Sequence, residues 1–104
     1  MAKKVVYLAG PITGVKDFRE RFAKAAEHVE RKGFIALNPA TLPGGLTNDQ
    51  YMKICFSMIQ AADLVLFLSG WRKSLGASLE QLYCNYIGKP TAMNYEDMDW
   101  MLTS

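Results

Sequence analysis

Leu64-Val65-Leu66-Phe67-Leu68 is an unbroken apolar run, introduced by Asp63 and closed by Ser69-Gly70. A strand with one wet face alternates apolar and polar residues, so a continuous run of this kind predicts a strand covered on both faces, as in a parallel sheet. Parallel neighbours need crossover connections, and helical periodicity lies on either side of the run. Upstream, a helix begins near Asn48, and Tyr51, Ile54, Cys55, Met58, Ile59 and Ala62 give it one apolar stripe. Before it, Phe34 to Leu37 predicts a short strand ended by Asn38-Pro39, and the segment through Pro43-Gly44-Gly45 reads as a loop. Asp17 is a fair N-cap for a helix bearing Phe18, Phe22, Ala25, Ala26 and Val29, with Arg31-Lys32 suited to the negative end of its dipole and Gly33 ending it. Lys4 to Ala9 is the first strand and stops at Gly10-Pro11. Downstream, Ser69 to Leu75 is a loop, a helix runs from about Ala77 to Ile87 with Gly88 at its C′ position, and Pro90 to Met93 is a fourth short strand.

Strands alternating with helices imply right-handed βαβ units. The expectation is an α/β fold: a flavodoxin-like three-layer sandwich with a short parallel sheet of about four strands in the order 2-1-3-4. The 104 residues, 50% of them hydrophobic and 21% charged, fit a single soluble globular domain spanning 1–104. A domain of this size buries only about two-thirds of its unfolded surface, and the tail adds Tyr95, Met98, Trp100, Met101 and Leu102. A homo-oligomer, dimer or tetramer, is therefore expected, with the tail against a partner subunit.

Net charge is +2 and the basic residues are scattered, which argues against a nucleic-acid polymer as partner. No apolar stretch approaches the roughly 20 residues that cross a bilayer, and Met1 to Lys4 leads straight into a strand-like run, so neither a membrane span nor a signal peptide is expected. Cys55 and Cys84 have no metal-ligand or Cys-x-x-Cys spacing, which suits a reducing cytoplasm and no metal. The single histidine, His28, sits mid-helix without a partner motif and reads as a surface residue, which leaves neither a Ser-His-Asp set nor a histidine-rich zinc site. Asp63 reads as a structural turn residue.

In a doubly wound sheet the ligand crevice forms where strand order reverses, here between the first and third strands at their carboxyl ends. Two loops should meet there. Gly10-Pro11-Ile12-Thr13-Gly14 brings glycines and a hydroxyl to a strand end, where backbone N–H groups can approach an anion; a tight turn that needs glycine explains the same residues. Ser69-Gly70-Trp71-Arg72-Lys73-Ser74-Leu75-Gly76 offers two cations, two hydroxyls, a stacking surface and a following helix N-terminus, the parts of a phosphate and base pocket; an ordinary exposed loop is the alternative. Glu80 then falls in the first helical turn, where the dipole should lower its pKa and keep it ionised for nucleophilic work. Ser78 followed by Gln81 reads there as a capping box, which gives Glu80 a purely structural alternative.

Tyr7-Leu8-Ala9-Gly10-Pro11-Ile12-Thr13-Gly14, Asn38-Pro39, Ala62-Asp63-Leu64-Val65, Gly70-Trp71, Ser74-x-Gly76-Ala77-x-x-Glu80 and Gly88-Lys89-Pro90 stand in order along nearly the whole chain. Together they resemble the nucleoside 2-deoxyribosyltransferase-like superfamily, nearest to its short uncharacterised members common in phages and prophages and to deoxynucleoside 5′-monophosphate N-glycosidases. The resemblance implies a cofactor-independent enzyme that cleaves or transfers the N-glycosidic bond of a nucleoside or nucleoside 5′-monophosphate, with Glu80 attacking C1′ and Tyr7 touching nucleophile and sugar. It implies phosphate contacts from Gly10, Ile12, Gly14 and Ser74. Thr13 stands where those N-glycosidases have an arginine, so Arg72, Lys73 or Lys16 would supply the cation. Cys55 stands where family members carry an aspartate assigned to the departing base, which raises a second expectation: a nucleotide-binding protein that senses or sequesters its ligand without turnover. Asn94, Asp97 and Trp100 are the residues that, by the same resemblance, would reach a neighbouring subunit's site.

Overall fold

The computed structural model describes residues 2–103. Four strands, β1 (Val5–Ala9), β2 (Ile35–Leu37), β3 (Leu64–Phe67) and β4 (Thr91–Ala92), alternate with helices α1 (Phe18–Arg31), α2 (Asn48–Ala61) and α3 (Leu75–Ile87), and α4 (Tyr95–Thr103) closes the chain. Short 3-10 turns at Pro39–Thr41 and Trp71–Lys73 follow β2 and β3. The sheet is all parallel in the order β2-β1-β3-β4, as the apolar runs require.

Side chains on a strand alternate between faces, so the register that sets Val6 beside Leu64 and Tyr7 beside Val65 builds two cores. On one face Val6, Leu8, Leu64, Leu66 and Ala92 meet Phe22, Ala25 and Val29 of α1 and Met98 of α4. On the other, Tyr7, Ala9, Val65 and Phe67 meet Cys55 and Ile59 of α2 and Cys84 of α3. All four residues of β3 are buried, which is why its run is unbroken. Asp63 is structural as expected: its carboxylate accepts from Val5 N–H at 2.8 Å, and its own N–H donates to Val5 C=O at 2.8 Å, bracing the entry of β1 against β3.

Several local features depart from the expectations. Helix α3 begins at Leu75 rather than Ala77, because Ser74 is its N-cap and accepts from Ala77 N–H at 3.2 Å. Ser78 is therefore inside the helix, and the capping box lies instead at the start of α2, between Thr47 and Gln50. Asp17 precedes α1 without a side-chain cap bond. Part of the tail packs on its own chain: Asn94 Oδ1 accepts from Asp97 N–H at 2.7 Å, Met98 is fully buried and Leu102 packs on the first core, while Trp100 stays exposed. His28 is half-buried rather than a plain surface residue, stacked on Tyr95 at 3.8 Å between ring centroids, because α4 covers that side of α1. No helix among the described residues is long and apolar enough to cross a membrane.

Candidate functional site

Strands β1 and β3 end side by side, Leu68 N–H donating to Ala9 C=O at 2.7 Å, so the loops that leave them emerge together. Gly70 turns with φ +86°, and a Cβ there would stand 3.6 Å from Pro11 Cγ, which places the two predicted loops in mutual contact. Arg21 of α1, which the sequence did not single out, donates from Nη2 to Ser69 C=O at 2.9 Å and anchors the second loop to the first helix. Gly10 has a packing reason to be glycine: a Cβ would meet Leu68 Cβ at 3.0 Å and Phe22 Cζ at 3.3 Å. Gly14 has φ +78° with open space around it, while Pro11 and Ile12 are half-buried and Thr13 is exposed.

Behind these loops lies the chemically unusual group of the molecule. Tyr7 points from the middle of β1 toward α2 and α3, and its hydroxyl donates to Glu80 Oε2 at 2.5 Å. Glu80 lies in the second turn of α3, only 5% exposed. The buried Cys55 thiol of α2 lies against the same pair and interacts with both. Tyr7, Cys55 and Glu80, named from sequence, are thus brought together by three different elements.

The electrostatics reverse one expectation. With the helix starting at Leu75, Glu80 is beyond the first turn, where the dipole is strongest, and burial dominates: its pKa is pushed up to about 7 even though the Tyr7 hydroxyl and Cys55 thiol both pull it down. Burial, then the nearby Glu80 charge, raises Tyr7 well above its ordinary value, so the phenol is a neutral donor. Burial likewise raises the Cys55 thiol and pushes Cys84 up to about 11, so both cysteines are neutral thiols and neither is paired in a disulfide. Removal of this carboxyl from water disfavours its ionised form, the kind of perturbation from which a site candidate can be argued.

The remaining predicted residues have contacts of their own. Trp71 tilts onto Phe67 at 5.0 Å, and the Arg72 guanidinium lies 4.8 Å over its ring. Lys73 and Lys16 are exposed. Ser74 accepts a hydrogen bond through its hydroxyl oxygen, which leaves the hydroxyl proton able to donate outward. A Cβ at Gly76 would stand 4.0 Å from Met52 Cε, so Met52 of α2 also borders the second loop; one methionine in an apolar stripe gave no signal of this. Asn38 is engaged elsewhere: its side chain accepts from Ala40 N–H at 2.9 Å, and it lines a cleft of about 350 Å³ with Arg19, Thr41 and Leu42. A second cleft, of about 510 Å³, runs along α2 and Leu37. Neither of these two clefts is lined by Tyr7, Cys55, Ser74 or Glu80, and the Glu80 carboxyl is almost wholly buried. Among the described residues no cluster of His, Cys, Asp and Glu could hold a metal ion.

A family model described as a domain of unknown function, DUF4406, matches residues 4–93. No curated protein matches the chain.

Proposed function

The chain belongs to the DUF4406 family, and we propose that it cleaves or transfers the N-glycosidic bond of a nucleoside or nucleoside 5′-monophosphate through Glu80. The observation that carries this reading is the buried Tyr7–Glu80 hydrogen bond beneath two adjoining loops at the carboxyl ends of β1 and β3. The motifs that resemble the nucleoside 2-deoxyribosyltransferase-like superfamily support it, and Tyr7 and Glu80 are the residues that superfamily would employ.

In the proposed reaction a Glu80 oxygen attacks C1′, the C1′–N bond breaks with its electrons leaving on the base, and water or a second base later displaces the glycosyl ester. Tyr7 positions the carboxylate and stabilises its charged form by donating to it. Scarce water around Glu80 makes its ionised form more reactive, at the expense of a pKa that leaves only part of the population ionised at neutral pH. Ser74, with its free hydroxyl proton, and the exposed Lys16, Arg72 and Lys73 are the groups proposed to hold a 5′-phosphate. Thr13 adds no charge there. The reaction needs neither metal nor organic cofactor, and the proposed setting is a reducing cytoplasm, in keeping with two unpaired cysteines.

Cys55 favours a second reading. Its neutral, raised thiol is a poor acid for the departing base, and losing acid assistance typically costs roughly 10²- to 10⁴-fold in rate. The same residues would then bind a nucleotide to sense or sequester it.

Chromatography of nucleosides and 5′-monophosphates incubated with the protein separates the two readings. Enzymatic action gives free base, and Glu80→Gln lowers its release at least about 10³-fold. Ligand-induced thermal stabilisation without base release, unchanged in Glu80→Gln, replaces the enzyme with the binding protein. If no compound is cleaved or raises the melting temperature, both readings fail.

A further inference from the structure

The segment that joins β3 to α3 makes its backbone hydrogen bonds locally. Trp71 N–H donates to Leu68 C=O at 3.2 Å, and Lys73 N–H to Gly70 C=O and Ser74 N–H to Trp71 C=O, each at 3.0 Å. Ser78, on the helix that continues the segment, donates its hydroxyl to Arg72 C=O at 3.4 Å. Among the described residues, one hydrogen bond ties Ser69–Ser74 to an element that does not adjoin it: Arg21 Nη2 of α1 donates to Ser69 C=O at 2.9 Å. The other contacts on this stretch are apolar, Trp71 against Phe67 and Gly70 beside Pro11. Apolar packing is non-directional, and Gly70, left-handed at φ +86°, has few steric limits of its own, so neither fixes the backbone as a directed bond does.

We propose that Arg21 is a positioning residue: by holding Ser69 it sets Trp71 and Ser74 in the arrangement that binds ligand, without itself touching the ligand. The effect on ligand rests on the reading of the two loops as the ligand site; the effect on the loop does not. Arg21 stands on a firm base, because the adjoining Phe22 is 1% exposed in the first core and Arg21 N–H donates to Asp17 C=O at 3.0 Å. Arg21 is half-buried and forms no ion pair among the described residues, so no carboxylate draws its guanidinium away from the carbonyl. A guanidinium suits the task, since its planar fork loses less freedom per hydrogen bond than a lysine stem. Glu80 is held separately, by the Tyr7 hydroxyl of β1. A loosened segment should therefore weaken binding and leave bond cleavage in the bound substrate unchanged.

The chain has two tryptophans, so Trp100→Phe makes Trp71 the only reporter and its fluorescence reads the segment directly. In that background Arg21→Met should shift Trp71 emission to the red and strengthen its quenching by acrylamide, with far-UV circular dichroism unchanged. Arg21→Lys, which keeps a donor, should restore part of the parent signal. With nucleosides and 5′-monophosphates as probes, Arg21→Met in the otherwise wild-type chain should raise KM roughly tenfold for both, the scale of one lost hydrogen bond to a charged group, at unchanged kcat. Emission and quenching identical to the parent would overturn the proposal, because the segment would then be held without Arg21. A KM rise confined to 5′-monophosphates overturns it as well, since Arg21 would then grip phosphate itself, and a lower kcat at unchanged KM would place Arg21 in the bond-breaking step instead. If the wild type releases no base, the proposed reaction fails while Trp71 emission and quenching still decide the role of Arg21, so the two failures are told apart.

Discussion

Glu80 is held by opposed effects: removal from water disfavours its charge, whereas the Tyr7 hydroxyl and Cys55 thiol favour it, and the first prevails to leave a pKa of about 7. The folded chain therefore holds this proton more tightly than the unfolded chain, where a glutamate releases it near 4.5. The resulting stabilisation is fully present below pH 4.5 and is lost as pH rises through 7, a contribution on the order of 3 kcal/mol. Urea unfolding across this range should show wild-type stability declining with pH, and Glu80→Gln should lack that decline. Base release should run the opposite way, kcat/KM rising with pH to a plateau above about 7, since the nucleophile must be ionised. Residue types and their order disclosed Tyr7 and Glu80 as candidates, but not this balance, because burial depends on what α2 and β1 place around the carboxyl. Gly10 teaches a similar lesson. Its sequence position suggested close approach to an anion or a tight turn, while its surroundings leave a Cβ crowded against Leu68 and Phe22. Gly10→Ala should cost about 1–3 kcal/mol in chemical unfolding, with no ligand present.

Elements were legible where one physical signal dominated. The apolar run of β3, the compact run of β1 and the Gly88 C-cap, left-handed at φ 73°, all stand where the sequence indicates. Helix starts were less legible because several hydroxyl and acidic residues compete to cap. Ser74 prevailed over Ser78 at α3, moving the helix back by two residues and Glu80 out of the first turn. Helix α4 went unread because an apolar chain end resembles an interface as much as a helix, and only packing of Met98 beneath it distinguishes them. Ser74 caps α3, and the phosphate contact proposed for it is separable from that task. Ser74→Ala should lower stability by about 1 kcal/mol through loss of the cap, read by thermal unfolding. If Ser74 also grips phosphate, KM should rise for a 5′-monophosphate and not for the corresponding nucleoside; equal changes for both would leave it a cap alone.

Across the whole molecule, the strand order 2-1-3-4 determines where chemistry can occur, because reversal of winding between β1 and β3 parts the connections on opposite faces and leaves their carboxyl ends open to two loops. Those loops touch, and Tyr7, Cys55 and Glu80 converge beneath them from a strand and two helices. The convergence could be anticipated from the winding, but the cover over Glu80 could not, since it depends on how the side chains of the surrounding elements pack around the carboxyl. In the proposed reaction the sugar must reach a carboxyl that is only 5% exposed here. The central claim is that this carboxyl forms a bond to sugar. Incubation with 2-deoxy-2-fluoro nucleosides and their 5′-monophosphates, which slow hydrolysis of a glycosyl ester, followed by peptide mass spectrometry reads that bond directly. The account requires one added glycosyl group on the peptide containing Glu80, absent in Glu80→Gln; base release with no adduct on that peptide, or an adduct that survives the substitution, contradicts it.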